Sequence, residues 1–311
     1  MRHRLATVIV LVLLGLFLSA SAWGRAPGSG GDPGSGLAAR TTRPAHSSSG
    51  SALILFVRGA YIWSCRPDGS GQRRLAKAGQ GAVAVAWSPD HRSISFIRSQ
   101  GGSNKGTLWR MNADGSGQRQ LAYSGPSLTQ DCGGLAWSPD GNLIAGGNFS
   151  GMSGHVAVLD LRTMTSRNLF QLLTSVNGIE TLSWSPDQAQ LLVVQEGGDS
   201  SWLMRIDASS GTLLQNYTSK QPGISAASYS PRGDRIAYSY ADLGHSRFGM
   251  RIAKIDGTPV RSLSHGRQYK PLWSPNGKQI VYSADQGLFV IGSDGQGRRR
   301  IVKGGHAEAW R

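Results

Sequence analysis

The sequence has little of the chemistry that marks a disulfide scaffold, a metal centre or a cofactor site. Its two cysteines, Cys65 and Cys132, are too few for a disulfide framework. Its seven histidines are scattered along the chain, and neither cysteine has a Cys-x-x-Cys partner. No phosphate-binding loop or dinucleotide fingerprint is present. We therefore expect no bound metal and no cofactor.

The chain also lacks a recognisable nucleophile. The nearest match to a Gly-x-Ser-x-Gly elbow is the segment 151–155, which reads Gly-Met-Ser-Gly-His and has no final glycine. It lies between two predicted strands and is interpreted as a loop. We therefore predict no catalytic residues and no enzymatic activity.

Acidic residues are scarce, with 18 Asp and Glu against 33 Lys and Arg, a formal net charge of +15. Such a balance favours an anionic environment or partner. Nucleic acid is the less favoured partner, because no reading motif accompanies the charge and the N-terminus indicates export.

Residues 1–22 have the pattern of a secretory signal peptide. Arg2 and Arg4 precede an apolar run from Leu5 to Leu18, and Ala-Ser-Ala at 20–22 suits cleavage. The alternative is an uncleaved membrane anchor, although the run is short for a membrane span. Residues 23–50 are rich in Gly, Ser and Pro and predict a disordered tether. The mature protein is expected to be exported, to the periplasm or beyond the cell, without a membrane span.

The rest of the chain repeats one phrase, Trp-Ser-Pro-Asp-Gly or a variant of it. The phrase begins at Trp87, Trp137, Trp184, Tyr229 and Trp273, in steps of 50, 47, 45 and 44 residues. Such a period is typical of propeller blades, each made of four short strands. Proline has no N–H for a strand ladder, so each strand should end at its aromatic residue. Arg-Gly-Asp at 232–234 resembles an adhesion tripeptide but is interpreted as one of these corners.

The C-terminus completes the count of blades. Residues 52–75 contain the later strands of a blade but no inner strand before them, and the chain ends in an inner strand, 306–310, that stops at Trp310. We therefore predict an all-β fold over 51–311. It is a six-bladed β-propeller of four-stranded antiparallel blades, in which the C-terminal strand joins the N-terminal blade and closes the ring.

At these repeats the sequence resembles the TolB-like β-propeller family, whose repeats carry the same phrase and often a following Asp-Gly-Ser-Gly hairpin. The resemblance covers about residues 52 to 311 and implies six blades, as the strand count does. Here a tether stands where the bacterial protein that gives the family its name has a second, α/β domain. That departure argues against the same role in the envelope.

Inner strands of a propeller line its central channel, so we compared equivalent positions of the six repeats. Most are small, which suits crowding near the axis. The exceptions predict a polar binding cluster at the channel mouth: Asp131, Glu180, Tyr269, Lys270, His306 and Glu308. The alternative is a rim that is merely solvated.

A second candidate surface is basic and falls on the outer strands of three adjacent blades, the sixth, first and second. We call it the basic rim and define it as Arg73, Arg74, Lys77, Arg119, Arg298, Arg299, Arg300 and Lys303. Charged outer strands protect sheet edges from aggregation. The functional alternative is contact with an anionic envelope polymer or an acidic protein.

The same register places Cys65 and Cys132 two blades apart, beyond the distance that a disulfide can bridge, so two free thiols are predicted. The function that we predict is a monomeric, non-catalytic binding or scaffolding propeller that recognises a protein or peptide. The alternatives are a hydrolase or lactonase acting at the channel mouth and a binder of an anionic envelope polymer.

Overall fold

A computed structural model describes residues 52–79, 84–99, 106–130, 134–150, 153–172, 176–197, 200–217, 223–242 and 247–311. The predicted signal peptide and tether, together with Asp131 and Cys132, lie outside these residues. Regular structure in the described segments is entirely β. They contain no helix long and apolar enough to cross a membrane.

The strands form six sheets, one for each predicted blade. From the channel outwards, the first blade contains β25 (His306–Trp310), β1 (Ile54–Arg58), β2 (Tyr61–Cys65) and β3 (Arg73–Lys77). The second contains β4 (Val85–Trp87), β5 (Ser93–Ser99), β6 (Gly106–Asn112) and β7 (Arg119–Gln120). The third contains β9 (Leu135–Trp137), β10 (Leu143–Ser150), β11 (Ser153–Asp160) and β12 (Thr165–Gln171), with β8 (Thr129–Gln130) added in parallel to β10.

The remaining three blades follow the same order. The fourth contains β13 (Val176–Trp184), β14 (Gln190–Gly197), β15 (Ser200–Asp207) and β16 (Leu213–Asn216). The fifth contains β17 (Ile224–Tyr229), β18 (Arg235–Asp242), β19 (Arg247–Lys254) and β20 (Pro259–His265). The sixth contains β21 (Gln268–Trp273), β22 (Gln279–Ala284), β23 (Gly287–Gly292) and β24 (Arg299–Lys303). The predicted fold class is confirmed.

The ring closes as the repeat count predicts. Strand β25 pairs antiparallel with β1, so that Trp310 lies opposite Ile54. Beyond the strand ends, the backbone N–H of Leu53 donates to Arg311 and that of Arg311 donates to Leu53, at 3.0 and 2.8 Å. The first blade is therefore built from both ends of the propeller sequence, which leaves no unpaired inner edge.

The repeated phrase forms a corner whose hydrogen bonds are made within the turn. In the third blade the Ser138 hydroxyl donates to Asp140 and accepts the backbone N–H of Leu143 at 2.9 Å. Gly141 has φ +76°, a conformation that glycine adopts without strain. The repeated aromatic residue before each corner, and Trp310, are buried in the core between blades.

The Arg-Gly-Asp segment forms such a corner. Gly233 has φ +74° and takes the place of Gly141. Asp234, two residues later than the usual aspartate, accepts the Ser230 hydroxyl at 2.9 Å. The adhesion interpretation is therefore unnecessary.

The outer hairpins of the fourth and first blades pack against the outer strand of the preceding blade. A Cβ atom on Gly211 would lie 1.8 Å from the Leu169 carbonyl oxygen, and one on Gly69 would lie 2.1 Å from that of Ile301. Glycine is required at these tips because the neighbouring backbone occupies the space of a side chain.

Candidate functional site

Within the described residues, four of the six inner strands, β13, β17, β21 and β25, carry β-bulges, at which an extra residue is inserted opposite the partner strand. In β13 the extra residue is Glu180, since Ile179 and Thr181 pair with consecutive residues of β14. The same reasoning identifies Ser225 in β17 and Glu308 in β25, and in β21 the bulge contains Lys270. A bulge re-aims its side chain away from the alternation of the strand. Three of the residues predicted for the channel mouth therefore lie at bulges.

Lys270 and Glu308 form a buried ion pair. The distance between Lys270 Nζ and Glu308 Oε1 is 3.9 Å, and their side chains are 7% and 0% exposed. Within the described part of the chain, neither Nζ nor either carboxylate oxygen forms a hydrogen bond. Buried polar groups normally have such partners, and their absence costs free energy. The pair therefore has unused hydrogen-bonding capacity on both sides.

Two further charged or titratable groups approach Lys270. The Glu180 carboxylate, from the fourth blade, interacts electrostatically with the Lys270 ammonium, from the sixth. The fifth blade lies between them in the ring, so both side chains must reach towards the central channel. His306, at the start of β25, also interacts with Lys270. Glu180, Lys270, His306 and Glu308 are hereafter called the channel cluster.

Burial dominates the electrostatics of this cluster. It lowers the pKa of Lys270, although the Glu308 and Glu180 carboxylates oppose the change, and it raises the pKa of Glu308 well above its usual value. Both partners of the ion pair are thus shifted towards their neutral forms, because desolvation exceeds their mutual attraction. Burial, and secondarily the Lys270 ammonium, lowers the pKa of His306.

The backbone of Lys270 is strained. Its φ is +57°, a left-handed conformation that few residues other than glycine adopt. It also precedes Pro271, which restricts the preceding residue further. Strain of this kind, kept in place by the surrounding fold, is found frequently at functional sites.

The other predicted positions contribute less. Tyr269 is half-buried and lies opposite Ser283 in the β21–β22 pairing, and no described contact joins it to the channel cluster. Asp131 lies outside the described residues. Among those described, no group of three His, Cys, Asp or Glu side chains is arranged to hold a metal ion. The cluster offers hydrogen-bond donors and acceptors from four side chains.

We did not predict from the sequence that two of the four side chains in the channel cluster are buried. Counted from the aromatic residue, the position of Glu308 is apolar in the other five repeats: Val85, Leu135, Leu182, Ala227 and Pro271. A carboxylate at a position that is otherwise a core position was the signal available for its burial.

All eight residues of the basic rim are exposed, on or beside the outer strands of the sixth, first and second blades. Arg299 donates to the Pro67 carbonyl at 3.0 Å, across the boundary between the sixth and first blades. Cys65 is a free thiol buried at the end of β2, and burial raises its pKa to about 12. Cys132 is outside the described residues.

Comparison with known proteins supports the same fold. The family described as TolB beta propeller domain matches residues 131–310, more than half of the chain. The protein belongs to the TolB beta propeller domain family. A curated relative, the TolB homolog of Chlorobaculum tepidum, is 32% identical over 192 residues. That match covers 54% of this chain and 43% of the relative, so the chain spans less than half of the relative's length.

Solved structures resemble the whole propeller. TolB from Acinetobacter baumannii superposes with a TM-score of 0.69 at 18% identity, covering 84% of this chain and 66% of the other. A putative TolB from Agrobacterium tumefaciens gives 0.62 at 18% identity, covering 83% and 90%. A chain of the nidogen/laminin complex gives 0.63 at 12% identity, covering 83% and 97%. At these identities the likeness shows the fold alone.

Proposed function

We propose that this protein is an exported, non-catalytic propeller that recognises a protein or peptide partner at the channel mouth. The observation that carries the proposal is the channel cluster, in which side chains from three blades converge on the channel. Membership of the TolB beta propeller domain family supports binding of protein as the activity.

The chemistry of the cluster suits a peptide. Glu180 offers hydrogen-bond acceptors and His306 offers ring nitrogens, whereas Lys270 and Glu308, at 7% and 0% exposure, lie behind the surface that a partner can reach. A peptide group or side-chain amide supplies the matching acceptor and donor. Glu180 and His306 are partly exposed and are the members that a partner would meet first. The bulges and the buried pair would then hold these groups in a fixed arrangement before binding.

The test is a pull-down from the native envelope fraction with the full chain and with Glu180→Ala and His306→Ala. A polar contact at the centre of an interface is worth about 1–3 kcal/mol, so each variant should bind the partner about 5- to 150-fold more weakly and retain correspondingly less of it. Arg261→Gln, far out on β20, serves as the matched control and should retain the partner fully. Full retention by both channel variants would reject the channel mouth as the binding site.

Export is part of the same proposal and has its own test. Removal of residues 1–22 predicts a mature chain that begins at Trp23, which mass measurement of the protein recovered from its native cells would detect. Recovery of the uncleaved chain in the membrane fraction would instead support the anchor interpretation.

A further inference from the structure

The basic rim is a regular array. The hairpins that begin at Asp68, Asp114 and Asp294 share one turn, in which the aspartate accepts the backbone N–H of the second residue after it at 2.8–2.9 Å. The second and fourth residues of each hairpin are glycines with positive φ. Arg73, Arg119 and Arg299 therefore occupy equivalent points on three successive blades.

The array is also continuous. The tip of the first-blade hairpin packs on β24, where a Cβ on Gly69 would lie 2.1 Å from the Ile301 carbonyl oxygen. The tip of the second-blade hairpin packs on β3, where one on Gly115 would lie 2.7 Å from that of Leu75. The three outer edges thus follow one another without an intervening element. The rim carries exposed cations along this whole path.

Protection of sheet edges does not explain where the charge lies. The outer strand β16 of the fourth blade has no charged residue and exposes Leu213 and Leu214, at 42% and 44%. The outer strands β12 and β20 carry one arginine each, whereas β3 and β24 each carry three cations among five residues. If edges in this molecule required charge, β16 would carry it. The second-blade strand β7 also carries one arginine, so the concentration on the adjacent sixth and first blades is what needs another cause.

The composition of the rim favours phosphate. Six of its eight cations are arginine, whose planar fork binds phosphate through two parallel hydrogen bonds. The nearby carboxylates of Asp68, Asp114 and Asp294 accept hydrogen bonds from their own turns. A phosphate group would therefore meet arginine at each repeat of the array.

The shape of the rim favours a flexible partner. Each blade turns by a sixth of a circle, so the sixth and second blades face a third of a circle apart. A flat membrane laid against the outer edge of the first blade would leave both neighbours facing away. One laid against the hairpins would miss Lys77 and Lys303, which lie at the opposite ends of β3 and β24, since exposed charges more than about 10 Å apart are screened at physiological salt. A flexible chain can follow the curve and contact all three hairpins. We propose that the basic rim binds a flexible phosphodiester polymer.

The experiment measures binding of the full chain to fluorescent poly(glycerol phosphate) by anisotropy. Binding is expected at 50 mM salt, and about 50-fold weaker binding at 200 mM if four phosphates are contacted, since each contributes a slope of about −0.7 on a flexible polyanion. The test variant replaces equivalent residues on the three blades: Arg73→Gln, Arg119→Gln and Arg299→Gln. It should bind at least about tenfold more weakly, with a salt slope shallower by about two.

The matched control removes the same charge elsewhere, through Arg167→Gln, Arg232→Gln and Arg261→Gln. Arg167 and Arg261 each donate to a carbonyl of the next blade, as Arg299 does, so the control also reproduces a lost contact between blades. Its affinity should stay within about twofold of the parent protein once equal melting temperatures show that both variants are folded.

Three outcomes would overturn the proposal. Equal weakening by the two triple variants would indicate a net-charge effect without a site. Tighter binding to polygalacturonate would assign the rim to carboxylate polymers. Rim-dependent binding to phosphatidylglycerol vesicles as tight as to the polymer would assign it to a membrane. The triple rim variant should keep the partner retained through the channel cluster, so failure here would leave the proposed function intact.

Discussion

The corners and the channel cluster place similar polar groups in opposite situations. At the third-blade corner, the buried Ser138 hydroxyl both donates and accepts, and Asp140 accepts from it and from the backbone of Asn142. In the channel, Lys270 and Glu308 are as deeply buried, yet their charged atoms make no hydrogen bond within the described chain. The corner therefore stabilises the fold, and the channel pair opposes it.

This difference indicates which residues the fold itself requires. A buried ion pair with poor geometry is commonly less stable than apolar residues of similar size. The second repeat carries such residues. Counted from the repeated aromatic residue, Ala84 occupies the position of Lys270 and Val85 that of Glu308. The fold thus has an alternative that its own repeats use. The fold therefore does not itself require the pair.

The largest expected effect is the difference in stability between removing one residue of the ion pair and removing both. Lys270→Ala leaves Glu308 buried without a partner of opposite charge, and Glu308→Val leaves Lys270 in the same situation. Each single variant should lower the free energy of unfolding by about 3–5 kcal/mol. The double variant should match or exceed the parent protein, because it restores the residues of the second repeat. Urea unfolding of the four proteins tests this. A double variant no more stable than either single variant would show that the pair stabilises the fold.

A smaller effect is expected at the corner. Ser138→Ala leaves the backbone N–H of Leu143 without its acceptor and should cost about 1–3 kcal/mol in the free energy of unfolding. Ser70→Ala, in an exposed hairpin, should change stability by less than about 0.5 kcal/mol. If Ser138→Ala and Ser70→Ala lowered the free energy of unfolding equally in urea, the buried corner hydroxyl would stabilise the fold no more than an exposed one.

Two corners differ at their left-handed residue and allow a finer comparison. Gly141→Ala places a side chain at φ +76° and should cost about 1–2 kcal/mol in thermal unfolding. Gln188 already has φ +65° at the equivalent position, so Gln188→Ala adds no backbone strain. It removes an amide that lies 3.1 Å from the Asp140 carboxylate, an exposed contact expected to be worth less than about 1 kcal/mol. A larger loss of stability from Gln188→Ala than from Gly141→Ala would show that backbone strain at this corner position is not the larger cost.

The smallest expected effect concerns pH. Burial, with the Lys270 ammonium, lowers the pKa of His306 below its usual 6.5, so the unfolded chain takes up this proton at higher pH than the folded one. The resulting contribution to stability is present above pH 6.5 and is lost as the pH falls. His306→Gln should therefore show a smaller drop in urea midpoint between pH 7.5 and 5.5. Ser262→Ala, which lies at an exposed position on β20 and removes no titratable group, should show the same drop as the parent protein.

The architecture was predictable from residues because it repeats. The spacing from Trp87 to Trp273 gives the period, and proline follows the inner strand in these five repeats. A sixth inner strand that ends at Trp310 matches the blade at 52–75 that has none of its own. The residues of the channel cluster were predictable only because they differ from the small or apolar residues at equivalent positions of the other repeats. The burial of Lys270 and Glu308 depends on bulges in β21 and β25, and the apolar residues at the equivalent position of other repeats signalled it for Glu308 alone.

The sequence by itself determined the blade count, the corners and the closure, since each depends on local turn chemistry and on a period along the chain. Only the tertiary structure decided which charges meet. Glu180 and Lys270 are 90 residues apart and belong to blades that are not adjacent in the ring, and the curvature of the ring brings them to one channel. The same curvature places the arginines of the sixth, first and second blades on one continuous edge. Such proximity depends on how many blades close the circle.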